Sequence, residues 1–441
     1  MKRQEFLGRA AALGAGAALS SSVPISAMAA GRSREAVPPS FAFSTWGDYR
    51  FYQDGFHRMQ KVVPKYASVQ FNNQQVTGAP IMAQRLLAGY VAKAWGTMPD
   101  VAEVLWQDIT RLAAAGLLVD LTDRFKPYAH QVAPAVLNVA TYNGHVVACP
   151  WRPNTMAVYY RHDVWSEAGI TADRIKTWSD FIAAGKKVTQ HKYADGKKRY
   201  MMNVDASPGF SLEMLTQQGG VLFDRRTRKL VAFEKDPQFH RAFATQVVMA
   251  RSGIAIQMTS FTPPWYQALK DGVVSSVIQG NWMDQVLEEQ APETAGKWRV
   301  MEFPAITPGG GRHALAGAAV VVAINKPGLD KDLVWAFMQH SFYDAKISPS
   351  LYNRWFLEPC YLPAENSPAF VYNRPSRFYG GQNPGTLDQK IQHDAYAPVG
   401  SPNYDLVMQY INTEFAKAIA GQESVDAAIR AAAVKAHANA T

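Results

Sequence analysis

The chain has 441 residues, 48% of them hydrophobic and 18% charged, with a formal net charge of +9. That length calls for two domains or lobes, and the composition excludes a disordered or low-complexity chain. The basic residues are scattered, with only short clusters such as Lys197 to Arg199 and Arg225 with Arg226, so a nucleic-acid interface is not expected. Aromatics make up 12% of the chain, including 11 Trp, enough for the cores and for a site that stacks flat apolar faces.

Residues 1–29 read as a secretory signal peptide. Lys2 and Arg3 form the positive start, residues 10–25 are uncharged, and Ala27-Met28-Ala29 offers a cleavage site. Arg3 to Gly8 resembles a twin-arginine export motif, but Gln4 stands where the second arginine belongs, so folded and unfolded export both stay open. No cysteine follows the apolar segment, and a soluble, periplasmic protein without a lipid anchor is expected. The two cysteines, Cys149 and Cys360, fit either one disulfide or two separate buried thiols. Neither has metal-ligand spacing, and the histidines are scattered, so no metal and no cofactor are expected.

In chain order, residues 41–46 alternate as a first strand and 52–66 follow as an amphipathic helix with Phe56, Met59, Val62 and Val63 on one face. A second strand at 69–71, a helix at 81–94, a third strand entered through Pro99-Asp100 and a helix at 109–115 complete a β–α–β–α–β–α run. That order predicts parallel strands with right-handed crossovers, and ligands in such sheets sit beyond the carboxyl ends of the strands. Asn143-Gly144 predicts a tight turn. Residues 146–148 and 156–160 read as two strands, separated by Pro150 and Pro153 with Trp151, Arg152 and Asn154 exposed between them. Residues 163–169 read as a helix ending on glycine. Thr177 and Asp180 predict a helix start. Helices are predicted over 210–218 and 236–251, a buried strand over 273–278, a Gly/Pro return crossover over 304–311, a central apolar strand over 318–324 and a helix over 330–342. Residues 344–403 read as loop-rich, and two helices over 404–420 and 424–438 end the chain.

The stretch 142–161, with its turn, strand, proline, polar pair, strand and following helix, resembles the first interlobe crossover of the extracellular sugar-binding proteins that serve ABC importers. Further landmarks resemble that family in order: 98–101, 115–121, 177–181, 218–223, 279–282, 298–304 and 315–323, so the likeness spans nearly the whole mature chain. Arg377 to Gln382 is similar to a Gly-Gly-Gln stretch of arabinose/lactose-type members. The resemblance implies an α/β, two-lobed periplasmic-binding-protein fold, type II-like, with a ligand cleft between lobes joined by crossover strands. The first lobe is expected over 30–153 plus 314–348 and the second over 154–313 plus 349–441. It also implies a binding protein rather than an enzyme. Such a protein captures a mono- or oligosaccharide by lobe closure and delivers it, as a monomer, to the permease subunits of an inner-membrane importer. An anionic solute (uronic acid, sugar acid or phosphodiester) on the same fold, or an exported carbohydrate-active enzyme with a carboxylate pair, are the alternatives.

A sugar offers an apolar C–H face and a set of hydroxyls, so its site wants aromatic rings beside planar donors and acceptors. Loop positions after strands supply candidates: Trp46 and Asp48 after the first, Gln75 after the second, and Trp106, Gln107 and Asp108 after the third. Arg152 and Asn154 lie on the crossover, and Asp205 follows a strand-like segment. Trp282 follows a buried strand, behind Gly280, at or near the place where the resembling family puts its stacking ring. Gly317 precedes the central strand and would let backbone approach a ligand. Each has a plainer alternative role in packing, capping or an ion pair. No G-x-S-x-G, H-E-x-x-H or phosphate-loop motif is present.

Overall fold

A computed structural model describes residues 37–355, 357–370 and 376–440. The expected signal peptide lies outside them. The strands are β1 (Ser40–Thr45), β2 (Gln70–Gln75), β3 (Val101–Val104), β4 (Thr141–Tyr142), β5 (His145–Val146), β6 (Cys149–Arg161), β7 (Met202–Val204), β8 (Ala255–Gln257), β9 (Ser276–Gly280), β10 (Trp298–Glu302) and β11 (Leu315–Ala323). The helices that matter below are α1 (Arg50–Val62), α2 (Ala79–Val91), α3 (Asp108–Ala114), α4 (Trp178–Gln190), α5 (Pro237–Arg251), α6 (Met283–Gln290), α7 (Lys331–Phe342), α8 (Ser348–Trp355), α9 (Pro384–Asp394), α10 (Tyr404–Ile419) and α11 (Val425–Asn439).

β1 alternates as its sequence predicts: Phe41 and Phe43 point inward and are fully buried. Phe41 stacks on Phe56 of α1 at 4.8 Å, and Phe43 meets Tyr52 at 4.3 Å. Burying each such ring contributes roughly 1.5–3 kcal/mol. β1 pairs in parallel with β2 and with β3, and β11 then runs antiparallel between β3 and β6. The central place of β11 explains its unbroken apolar run. α7 packs back on α1 and carries Phe337 against Phe41.

β6 joins the two lobes. Its first half pairs with β11, while residues 156–161 pair with β9 on one side and β10 on the other. The second strand expected here therefore begins earlier, at Cys149, and takes in the proline segment as one strand of 13 residues, while of the first expected strand only Val146 is in a strand, β5. Prolines cannot donate to a ladder, and the register between β6 and β11 shifts twice where Pro150 and Pro153 lie. The carbonyls of Pro150 and Trp151 are satisfied from outside the sheet. Tyr343 Oη donates to Pro150 O, while Tyr352 Oη (2.6 Å) and the Cys360 amide (3.1 Å) donate to Trp151 O. Trp151 and Arg152, expected exposed, are buried by this cover.

Asn143 and Gly144 take positive φ (49° and 82°) in the β4–β5 hairpin, as the turn chemistry requires. Thr177 and Asp180 form a full capping box at the start of α4, with reciprocal bonds of 3.2 and 2.9 Å. Helix over 210–218 shrinks to a four-residue turn at Glu213–Thr216. The segment read as loop-rich holds helices α8 and α9 and the short turn Leu362–Glu365. α8 packs on α1 and α7, α9 packs on β6 and β10, and α10 and α11 pack on α5. Among the described residues no helix is long and apolar enough to cross a membrane. Cys149 and Cys360 are both buried, free thiols.

Candidate functional site

The carboxyl ends of β1 and β2 carry one group of predicted residues, and those of β7 and β9 carry another. β6 runs between the two groups. Trp46 is half-buried just past β1. Asp48 is exposed, and both its oxygens are engaged by Arg50, whose Nε lies 2.9 and 2.8 Å away. The guanidinium holds the Asp48 carboxyl below its ordinary range. Arg50 also lies over the Trp355 ring, 5.3 Å from its centroid. Gln75 donates to Gly47 O at 2.9 Å and accepts from Asn73 at 2.9 Å, which braces the loop after β1.

In the third-strand group, Trp106 and Asp108 serve packing. Trp106 is 8% exposed and meets Tyr404 edge to face at 5.1 Å. Gly317 has φ +93°, and a Cβ there would fall 2.1 Å from Trp106 Cδ1. The close approach expected at Gly317 is real, and the group that approaches is the Trp106 indole. Gln107 precedes α3 and is half-buried. Asp108 is buried and paired with Arg111 at 2.6 Å, and Arg111 reaches Asp405 of α10 at 3.0 Å. Burial pushes the Asp108 carboxyl up to about 6.

On β6, Arg152 is buried and donates to Asn281 Oδ1 at 2.8 Å. That bond ties the crossover strand to the residue after β9. Asn154 is half-buried, and its amide has no hydrogen-bond partner among the described residues. Asp205 accepts from the Ser260 amide at 2.6 Å and the Ser260 hydroxyl at 3.2 Å. Asp205 and Gln279 line a cavity of about 200 Å³ together with Asn203, Gln246 and Trp265. Trp265 is fully buried, with Nε1 donating to Asn203 at 2.9 Å.

Trp282 is half-buried at the start of α6, with its indole folded back over Gly280. Phe261 lies 5.6 Å from it and 5.0 Å from Trp265. Phe261 was not among the sequence candidates. It is 45% exposed and holds φ +61°, a left-handed conformation that a bulky side chain adopts only at a cost. Its only sequence signal is its place in a Ser-Phe-Thr-Pro-Pro loop. Phe261 and Trp282 together form an aromatic wall with an open face. Trp265, which Phe261 meets, lines the same cavity as the planar amides of Asn203, Gln246 and Gln279 and the Asp205 carboxylate. Rings and planar polar groups of this kind can hold a small hydroxylated solute without bonding to it covalently.

Two lobes joined by a shared strand make this a two-lobed α/β fold of the periplasmic-binding-protein kind. Residues 69–342 match the family of bacterial extracellular solute-binding proteins. The chain belongs to that family, whose family-1 branch supplies the non-catalytic, sugar-binding components of ABC transporters. It is 26% identical over 365 residues to a lactose-binding protein of Rhizobium radiobacter, covering 80% of this chain and 81% of that one. It is 23% identical over 297 residues to an arabinooligosaccharide-binding protein of Halalkalibacterium halodurans, covering 65% of this chain. The match spans 63% of that relative's length. In fold it is similar to the ABC transporter-associated binding protein of B. animalis subsp. lactis Bl-04, solved with β-1,6-galactobiose. That likeness has TM-score 0.70 and 20% identity, over 89% of this chain and 95% of the other.

Proposed function

We propose that this chain captures a neutral mono- or oligosaccharide between its lobes and delivers it to the permease subunits of an inner-membrane importer. The observation that carries the reading is the aromatic wall of Trp282 and Phe261, which meets Trp265 at the cavity lined by Gln279 and Asp205. A sugar C–H face on the wall and hydroxyls on the amides would use both chemistries at once. The relatives named above point the same way. Ligand shifts the lobes toward the closed form because only that form lets both contact it. In this reading residues 1–29 are removed on export and the mature protein is a monomer in the periplasm without a lipid anchor. The lobes divide at 30–153 plus 314–348 and 154–313 plus 349–441, with α8 reaching back to pack on α1 and α7. Trp46, Gln75 and Gln107 form the first lobe's share of the site. Asp48, Trp106, Asp108, Arg152 and Gly317 support it from behind. Asp205 and Trp282 belong to the second lobe's share.

An anionic solute would want a free arginine, and Arg152 is buried against Asn281. Neutral sugars are therefore the first class to test. Thermal unfolding of the mature protein is followed with neutral sugars, sugar acids, polyols and phosphodiesters. Ligand at 100 times its dissociation constant stabilises by about 2.7 kcal/mol. The expected result is a shift with a neutral sugar that Trp282→Ala abolishes and Phe261→Ala weakens by roughly 2- to 10-fold, from an aromatic contribution of about 0.5–1.5 kcal/mol. A shift with anions alone, or none with any sugar, overturns the proposal.

A further inference from the structure

Beneath the hinge, three acidic side chains from distant parts of the sequence converge. Asp284 lies in the first turn of α6, Glu358 in the loop beyond α8, and Asp388 on α9. One oxygen from each lies within 4.8 Å of one from each of the others. Glu358 is 7% exposed and Asp388 2%, while Asp284 is half-buried.

The surroundings do not balance three charges. Among the described residues, Arg152 is the cation that acts on all three carboxylates. Its Nη2 is spent on Asn281, which in turn donates to Glu358 Oε2 at 2.9 Å. Asp284 accepts from the Tyr379 hydroxyl at 3.0 Å, and Asp388 Oδ1 accepts from the Thr155 hydroxyl of β6. Asp388 Oδ2 is wholly buried and has no partner among the described residues. Asp388 and Glu358 each present an oxygen within 4.8 Å of one of the other's. Two acceptors in that relation need a positive species between them, and a buried, unpaired carboxylate oxygen costs too much to be left over.

We propose that Asp284, Glu358 and Asp388 bind one hard divalent cation, of the calcium class, at the hinge. Three carboxylates less one arginine leave a charge of about −2, which such an ion neutralises. A single shared proton would serve one pair and leave the third carboxylate. The donors are all oxygen, with no histidine or thiolate among them, which selects calcium, magnesium or manganese over zinc or copper. Calcium sits about 2.3–2.6 Å from its oxygens in flexible geometry, so oxygens that all lie within 4.8 Å of one another can share one ion. The bound ion would join α6, the loop after α8 and α9 to β6 through Thr155. It would set the geometry of the strand on which the lobes hinge, directly behind Trp282.

The test uses the whole mature protein, purified without chelator for metal analysis, then stripped with EDTA and dialysed against calcium, magnesium, manganese or zinc chloride in turn. The expected result is one calcium per chain, terbium luminescence excited through tryptophan and displaced by calcium, and a higher unfolding temperature with calcium. Asp388→Asn and Glu358→Gln should each lower the affinity by at least roughly 10-fold, the scale on which metal sites respond to loss of supporting groups. Asp284→Asn, at the half-buried position, gives a third variant should either of the others fail to fold. Absence of stoichiometric binding of any of the four ions to the wild-type protein overturns the proposal. So does binding of zinc alone, or calcium binding that survives in the folded variants.

Discussion

Gly317→Ala separates a glycine kept for ligand from one kept for packing. The new Cβ would enter the left-handed region at φ +93°, which costs about 1–2 kcal/mol for an L side chain. It would also sit 2.1 Å from Trp106 Cδ1 and 2.3 Å from Cγ, backbone against a ring that is 8% exposed and packed on Tyr404. Overpacking of that kind costs about 1–3 kcal/mol more. The expected total is about 2–5 kcal/mol, measured by equilibrium urea unfolding without ligand. The double variant with Trp106→Ala removes the obstruction. In that background Gly317→Ala should cost only the backbone share, about 1–2 kcal/mol, so the two changes couple strongly. Equal costs in both backgrounds would refute the packing argument. So would an unchanged stability of Gly317→Ala accompanied by lost ligand binding, which would return the glycine to the site.

Three further outcomes are expected. Asp108 titrates at about 6 in the folded chain against an ordinary 3.8, so its folded form holds the proton more tightly than the unfolded one. The cost of ionising it is absent below about pH 4, grows as pH rises through 6, and reaches about 3 kcal/mol above that. Asp108→Asn should flatten the fall in stability between pH 4 and 7, and an unchanged slope would count against the burial argument. Cys149 and Cys360 are buried free thiols whose pKa burial pushes up, so the native protein should resist a thiol reagent and expose two thiols in denaturant. Finding none in denaturant would mean a disulfide instead. Arg152→Met removes the cation that faces Glu103, Asp284, Glu358 and Asp388 and should destabilise the chain by about 3–5 kcal/mol in chemical unfolding. A loss under 1 kcal/mol would show that the arginine does not balance those charges.

Local chemistry determined a large part of this protein from sequence alone. The alternation of Phe41 and Phe43, the apolar run of β11, the Asn143-Gly144 turn and the Thr177–Asp180 box each act within one turn or one strand. Each appears in the structure as its residues dictate. The order of strands and helices then left few ways to build the sheet. Tertiary structure decided what no short window contains. β6 is one strand because Tyr343, Tyr352 and Cys360, some two hundred residues away, satisfy carbonyls that the prolines leave out of the ladder. α8 and α9 are helices whose stability comes from packing on α1, α7, β6 and β10, so their Pro- and Asn-rich sequences read as loop. The strand-end rule brought Trp46 and Trp282 to the lobe ends, yet the same rule named Trp106 and Asp108, which Tyr404 and Arg111 take into the interior. Phe261 and the Asp284–Glu358–Asp388 cluster are products of long-range assembly. A residue's chemistry is written in its side chain, while its exposure and its neighbours depend on which distant segment covers it.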